Sequence, residues 1–318
     1  MIKLAILLTK NHRLLSIAAM LDMYETVNRY GLEDTGSPFF EIGLYNTSET
    51  EVFQYSGYEM LSLQSATQQD LILLPAFNNV DPQTAISSNR EAIQWLQDQY
   101  QAGAAIASFC TGAFLLAATG LLNHRPATTH LQAVNAFVRA FPEVMIQPKA
   151  IVTQEDNVYT SGGSTSSFHL MLKLVENYCG REIAVRAAKY FAIDMDREHQ
   201  SYFSTFLPLR DHGDELVTMV QQKISKSFNT SNTIEELLVE VPASRRNLVR
   251  RFKQATGITP IEYLQKTRIE AAKKLLEQSR QSILEVMLET GYNDLKSFRQ
   301  LFKKNVGLSP KAYREKFN

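Results

Sequence analysis

Short apolar runs alternate with longer stretches of helical periodicity in the first part of the chain. The runs at 4–8, 71–75 and 104–109 are largely apolar, and further strands are predicted at 39–44 and 158–160. A run with no polar position is typical of a central strand in a parallel sheet. Helical periodicity occupies the stretches at 15–30, 90–102, 111–122 and 167–179. This alternation predicts a layered α/β domain whose ligands bind at the carboxyl ends of the strands.

The pattern changes in the last third of the chain, where only helical periodicity remains and the sequence repeats itself. Residues of the same type recur 50 positions apart. The identical pairs are Phe252 and Phe302, Lys253 and Lys303, Gly257 and Gly307, Pro260 and Pro310, and Tyr263 and Tyr313. A fixed period of this length indicates one supersecondary unit used twice.

Each copy of the repeat predicts two helices joined by a short turn, with cations on the second helix. In the first copy Pro242 breaks one helix and Ser244 caps the next, and in the second copy the turn lies at 291–293. The cations are Arg245, Arg246, Arg250, Arg251 and Lys253 in the first copy, and Lys296, Arg299, Lys303 and Lys304 in the second. This is the pattern of a helix-turn-helix.

Charge is segregated along the chain. Residues 212–318 contain 19 lysines and arginines against 12 aspartates and glutamates, a net charge of +7. The whole chain is neutral, so residues 1–211 carry −7. A helical bundle with merely solvated cations is the alternative interpretation. The exact repeat and the placement of cations on the same helix in both copies favour binding to double-stranded DNA.

The position of a side chain along each cationic helix predicts whether it contacts a base or a phosphate. Arginine, asparagine and glutamine can form the paired hydrogen bonds that distinguish bases. We expect base contacts from Arg246, Asn247, Arg250, Lys296, Arg299 and Gln300, and phosphate contacts from Arg251, Lys253, Lys303 and Lys304. The helix predicted at 261–278 separates the two cationic helices, so that they enter successive major grooves about 34 Å apart.

Length and composition predict two domains, at 1–193 and 214–318, joined by a linker at 194–213. No run approaches the roughly 20 apolar residues that span a bilayer, so no membrane partner is expected. The two cysteines, Cys110 and Cys179, lie in unlike contexts. A disulfide framework is therefore not expected, and we predict a reducing, cytoplasmic location.

Cys110 is the one candidate for chemistry in the first domain. It follows an apolar strand and lies between Ser108 and Gly112, the small flanks that a tight nucleophile elbow requires. A helix beginning here would favour the thiolate. His130 lies 20 residues further on as a candidate base. The alternative is that Cys110 is a small buried apolar residue.

Two family resemblances cover most of the chain. Arg246, Phe252, the Gly257-x-Thr259-Pro260 stop and its second copy at 307–310 resemble the AraC/XylS-type DNA-binding domain. The segments 108–114, 127–130 and 160–163 resemble the PfpI/ThiJ group of the class I glutamine amidotransferase-like superfamily. Together they resemble the GlxA-type transcriptional regulators. The resemblance implies a flavodoxin-like, amidotransferase-like α/β sensor domain, an all-α domain with two helix-turn-helix units, a small-molecule effector and a homodimer, with RNA polymerase as a further candidate partner.

The chain departs from the enzymes of that superfamily at two positions. Ala19 aligns with the glutamate that lies beside the thiol, and Ala76-Phe77 replaces a Gly-Gly pair that helps to form an oxyanion site. We therefore expect a pocket that binds a ligand without catalysis, cofactor or metal. Its candidate residues are Cys110, Thr111, His130, Ala76, Phe77 and Gly162. A cysteine-dependent hydrolase and a regulator that senses oxidation of Cys110 remain as alternatives.

Overall fold

A computed structural model of the chain shows two compact units, Met1–Gln200 and Ser201–Asn318. Each is described by itself. The predicted linker 194–213 lies mostly outside the described residues. The structure describes residues 1–47, 57–78, 81–195, 203, 206, 208–210, 212–230, 233–238 and 241–318, without the side chains of 235 and 237.

The first unit contains a mostly parallel sheet. In the described ranges its strands are β1 (Ile2–Leu8), β2 (Phe40–Asn46), β3 (Met60–Ser62), β4 (Leu71–Leu74) and β5 (Ala105–Phe109), a separate pair β6 (Pro126–Ala127) and β7 (Met145–Ile146), and then β8 (Val152–Glu155) and β9 (Val158–Ser161). The order across the main sheet is β3-β2-β1-β4-β5-β9-β8, and β8 pairs with β9 in the antiparallel sense. This architecture confirms the predicted layered α/β class.

Helices cover both faces of this sheet. They are α1 (Leu14–Thr35), α2 (Pro82–Ser87), α3 (Arg90–Gln101), α4 (Ala113–Ala118), α5 (Val134–Ala140), α6 (Ser166–Cys179) and α7 (Arg181–Tyr190). Alternate residues of β1 enter two different cores. Leu4 and Ile6 pack with α1, α6 and α7, whereas Ala5 and Leu7 pack with α3, α4 and α5. Burial on both faces explains why the strand is apolar throughout.

The first unit differs from the sequence-based prediction at two helices. The region predicted as one helix at 111–122 is a 3₁₀ turn, Cys110–Gly112, followed by the six-residue α4. The amphipathic α7 follows Gly180, whose φ of 90° allows a sharp turn directly after α6. None of the helices in the described ranges combines the length and the hydropathy that a bilayer span requires.

The second unit is helical, as predicted. Its helices are α8 (Glu215–Ser227), α9 (Ile234–Leu238), α10 (Arg245–Thr256), α11 (Pro260–Gln278), α12 (Ile283–Glu289), α13 (Leu295–Val306) and α14 (Pro310–Phe317). Local capping explains their boundaries. Ser244 and Asp294 cap α10 and α13 through their side chains, and Gly257 and Gly307 end them in the left-handed conformation.

The repeat corresponds to two small cores of similar construction. The Phe252 and Tyr263 rings meet edge to face with centroids 5.4 Å apart, and the Phe302 and Tyr313 rings do the same at 5.6 Å. Each pair fixes a cationic helix against the helix that follows it. Of the identical residues at 50-residue spacing, the phenylalanines and tyrosines are therefore the contacts that bury one face of the second helix in each copy.

Phe252→Ala should destabilise the first of these cores by about 3–5 kcal/mol, because a fully buried aromatic ring is replaced by a cavity. Native-state hydrogen exchange at the amides of α10 and α11 measures this loss. Gln254→Ala, at an exposed position of the same helix, is the matched control and should change stability by less than about 0.5 kcal/mol. Equal effects of the two substitutions would contradict the assigned core.

Candidate nucleic-acid interface and ligand pocket

The outer surface of α10 presents the predicted base-contacting residues of the first repeat. Arg246 and Arg250 are exposed, and Asn247 is half-buried. The backbone N–H of Asn247 donates to the Ser244 hydroxyl at 3.4 Å, and the Asn247 side-chain oxygen accepts from Arg250 at 3.1 Å. An open concavity on this surface is lined by Arg245, Arg246, Val249, Arg250, Lys253 and Gln254. Its lining carries a dense positive charge suited to a polyanion.

The Arg251 side chain reaches the start of α8 and stays partly exposed. Its guanidinium makes two hydrogen bonds to the Asp214 carboxylate, of 2.9 and 2.7 Å. These hydrogen bonds lower the pKa of Asp214, which also caps α8 through the N–H of Val217. Arg251 therefore joins α10 to the start of α8, a contact that the sequence did not indicate, and its phosphate contact stays a prediction.

The outer surface of α13 presents the matching residues of the second repeat. Lys296, Arg299 and Gln300 are exposed near the start of the helix, and Lys303 and Lys304 are exposed near its end. Asp294 caps the helix by accepting the N–H of Ser297 at 2.7 Å. Both cationic helices thus keep an aromatic face in a core and turn a polar, basic face outward.

In the first unit, Cys110 occupies a strained turn at the carboxyl end of β5. Its φ is +56°, a left-handed conformation that is uncommon for a residue with a Cβ. Gly112 lies so close to β4 that a Cβ there would be 2.5 Å from the Pro75 carbonyl oxygen. The Thr129 hydroxyl donates to the Cys110 carbonyl at 2.8 Å. The predicted elbow geometry is therefore present.

Thr111 ties the elbow to the loop after β4. Its hydroxyl accepts from the Phe77 N–H at 2.8 Å and donates to the Phe77 carbonyl at 3.2 Å. The Ala76 N–H donates to the Ser16 hydroxyl at 3.1 Å. Two main-chain donors at the position of an oxyanion site are thus already engaged by neighbouring side chains. The sequence indicates that Ala76-Phe77 replaces a Gly-Gly pair, but it does not indicate these hydrogen bonds.

His130 reaches the elbow region by packing against the turn after β9. A Cβ on Gly163 would lie 2.3 Å from the His130 ring, so only glycine permits this approach. The His130 Nδ1 accepts the N–H of Gln132 at 3.2 Å, and within the described ranges no hydrogen bond joins His130 to Cys110. The N–H of Gly162, a predicted pocket residue, donates to the Ile151 carbonyl at 2.8 Å, and the N–H of Ser164 donates to the Cys110 sulfur.

Burial controls the ionisation of the thiol and the imidazole. Burial raises the pKa of Cys110, although hydrogen bonds from the Ser164 and Thr111 N–H groups and the charge of Arg13 act in the opposite direction. Burial and Arg13 together lower the pKa of His130. The expected preference for thiolate at a helix start is therefore wrong, because α4 is short and desolvation outweighs it. Arg13 carried no signal in the sequence.

Ala19 stands at the position that the family resemblance aligns with the glutamate of the enzymes. Ala19 packs against the core of the first unit. Asp22 is exposed, and Glu25 interacts with Tyr58, where burial and this carboxylate raise the pKa of Tyr58 to about 12. Within the described residues, no group of three histidine, cysteine or acidic side chains is arranged to hold a metal ion.

Two family models match the chain, one in each compact unit. Residues 57–177 match the DJ-1/PfpI family, and residues 238–316 match the family described as helix-turn-helix domain. The chain thus combines a segment that matches the DJ-1/PfpI family with a segment that matches a helix-turn-helix domain.

Curated relatives that align with about two thirds or more of this chain are named as transcriptional regulators. The HTH-type transcriptional regulator GbdR of Pseudomonas aeruginosa is 28% identical over 236 residues, covering 72% of this chain and 62% of GbdR. CdhR of the same organism is 26% identical over 250 residues, covering 78% and 73%. GlxA of Rhizobium meliloti is 24% identical over 221 residues, covering 67% and 66%. The alignment thus spans less than two thirds of GbdR.

Solved structures share the fold of the first unit. A protein from Vibrio parahaemolyticus superposes with a TM-score of 0.52 at 22% identity, covering 59% of this chain and 98% of that one. An AraC family transcriptional regulator from Pseudomonas putida gives a TM-score of 0.50 at 18% identity, covering 60% and 100%.

The raised pKa of Cys110 predicts slow alkylation at neutral pH. In a Cys179→Ala variant, iodoacetamide should modify Cys110 more slowly than it modifies the same thiol in the urea-unfolded chain, because less thiolate is present. The rate should rise with pH and should continue to rise beyond the usual thiol range, because the raised pKa moves the plateau to higher pH. Mass spectrometry of timed samples measures both rates. Faster alkylation of the folded than of the unfolded chain at neutral pH would show an activated nucleophile.

Proposed function

We propose that this chain is a sequence-specific, DNA-binding transcription regulator whose DJ-1/PfpI domain senses a small metabolite without catalysis. The observation that carries the proposal is the duplicated helix-turn-helix, in which α10 and α13 each bury an aromatic face and expose a basic one. Relatives named as HTH-type regulators support it. A bacterial cytoplasm, where such a regulator meets DNA, is the location that goes with this role.

The exposed side chains divide into two kinds of DNA contact. Arg246, Asn247 and Arg250 on α10, with Lys296, Arg299 and Gln300 on α13, lie near the helix starts, where a helix in the major groove meets base edges. The exposed Lys253, Lys303 and Lys304 lie nearer the helix ends and suit phosphate contacts. Asn247 and Arg250 must exchange their mutual hydrogen bond for bonds to bases when DNA binds.

The sensor domain is proposed to be a degenerate relative of enzymes. The elbow is retained, but Phe77 and Ala76 have their N–H groups occupied, Ala19 replaces the acid, and the thiol is held neutral by burial. Loss of one oxyanion donor alone costs about 10²–10³ in rate. A small-molecule effector would then bind at the carboxyl ends of β4 and β5 and regulate DNA binding by preferring one state of the protein. We also propose that the chain forms a homodimer and that it contacts RNA polymerase.

Substitution of a base-contacting arginine should differ from substitution of a phosphate-contacting lysine. DNA sites are first selected from a random pool with the full chain. Arg246→Ala should then weaken binding to the selected site by about 1–3 kcal/mol and relax the preference at one base pair. Fluorescence anisotropy titrations on the site and its single-base variants measure this.

The matched control is Lys303→Ala, which should weaken the selected site and unrelated DNA alike and reduce the salt dependence of binding by about one phosphate contact. If Arg246→Ala lowers affinity evenly over all sequences, the assignment of Arg246 as a base contact is wrong. If the unsubstituted chain selects no sequence, the proposed function itself fails.

Cys110→Ala distinguishes the sensor from a cysteine-dependent hydrolase or an oxidation sensor. The variant should keep the DNA affinity of the unsubstituted chain, because Cys110 lies in the other unit from α10 and α13. Peroxide should change DNA binding of neither protein. A hydrolase would instead show an activity that the variant loses, and an oxidation sensor would show a peroxide response that disappears with the thiol.

A further inference from the structure

The two helix-turn-helix units have separate hydrophobic cores that divide along α11. Tyr263 and Leu264, on its first turns, belong to the core of α8, α9 and α10. Ile269, Ala272 and Leu276 belong to the core of α12, α13 and α14. Among the described residues of this unit, the buried apolar side chains form two separate clusters, so α11 alone would restrain the angle between the two cores poorly. Arg268 lies at this division and is only 6% exposed.

Arg268 connects elements from both sides. Its Nε donates to the backbone carbonyl of Phe228, the C-terminal cap of α8, at 2.7 Å. Its guanidinium carbon lies 5.2 Å from the centre of the Tyr292 ring, in the turn that precedes α13. A cation at a helix C-terminus is favoured by the helix dipole and satisfies a carbonyl that lacks an intrahelical partner. The contact with an aromatic face adds a cation–π attraction.

Gly291 brings the same two elements into direct contact. A Cβ at this position would lie 2.9 Å from the Phe228 carbonyl oxygen, 3.0 Å from the Asn229 Cα and 3.1 Å from the Arg268 side chain. Its φ of +82° also favours glycine. The end of α8 and the turn before α13 thus meet with no room for a side chain between them. We call Phe228, Arg268, Gly291 and Tyr292 the joint.

We propose that Arg268 is a positioning residue that fixes the separation and angle between α10 and α13, so that the chain recognises two DNA half-sites at one spacing. This inference rests on the proposed DNA-binding function and extends it from base contacts to half-site geometry. Arg268 has too little exposed surface to read DNA itself. Its effect operates through the rigidity of the joint.

A rigid joint changes affinity in a characteristic way. When the first helix is bound, the second meets its half-site at a high effective concentration only if the geometry is already correct. Loosening the joint therefore lowers affinity for the correct spacing and relaxes discrimination against wrong spacings. Affinity for a single half-site should not change, since the surfaces of α10 and α13 remain intact.

The test measures spacing selectivity with the full chain. Two half-sites are obtained by selection from random DNA, and a second duplex carries about five additional base pairs between them, which turn one half-site to the opposite face. The unsubstituted chain should prefer the selected spacing by about 100-fold, and Gly291→Ala should reduce this preference to about tenfold or less. Arg268→Lys, which keeps the charge but loses the planar donor, should give a smaller reduction in the same direction.

Gly257→Ala is the matched control. Gly257 also has a left-handed φ, of +80°, but a Cβ there would meet no atom within 4 Å. The Gly257→Ala variant should therefore have the same kind of backbone strain as Gly291→Ala without disturbing the joint. It should keep the full preference for the selected half-site spacing. Thermal unfolding of each variant shows whether it is folded at the temperature of the DNA-binding measurements.

The outcomes separate this inference from the function on which it rests. Unchanged spacing preference in both Gly291→Ala and Arg268→Lys, with single half-site binding intact, would overturn the role of the joint. An unsubstituted chain that binds both duplexes equally would also overturn it while leaving DNA binding established. An unsubstituted chain that selects no DNA sequence at all would overturn both.

Discussion

A helix that contacts DNA must keep one face in a core while the opposite face stays charged, and this constraint shapes the whole second unit. The 12-residue helices α10 and α13 cannot meet it alone, because isolated helices of this length are marginally stable in water. Each is held by an aromatic contact with the following helix, Phe252 with Tyr263 and Phe302 with Tyr313. The basic surfaces depend on these two buried contacts.

The first unit combines the turn of a nucleophile elbow with a buried thiol. The left-handed φ at Cys110 and the close approach of Gly112 to Pro75 are consequences of the turn between β5 and α4, and they remain. Activity requires more, namely free donors and a polarised thiol. Here the Thr111 hydroxyl engages both main-chain groups of Phe77. The main-chain groups of Phe77 are therefore already satisfied within the protein.

Sequence reasoning succeeded where a feature repeats or has a local cause. The 50-residue period, the caps Ser244 and Asp294, and the small flanks of Cys110 all leave local patterns. It failed where two distant residues meet. Nothing near Arg251 in the sequence indicates Asp214, 37 residues away, and nothing near Arg268 indicates the carbonyl of Phe228, 40 residues away. Such pairs have no period, so only the folded chain shows which cations are structural.

This distinction changes the meaning of the charge count. The net charge of +7 in residues 212–318 treats every cation as available to DNA. In the fold, Arg251 is bonded to Asp214, Arg268 is buried at the joint, and Lys273 is buried against Glu270. Counterion release depends on cations that reach phosphates, not on the total. The basic composition therefore has two parts. Cations exposed on α10 and α13 are those that the proposed function directs to the duplex, whereas Arg251 and Arg268 join helices within the second unit.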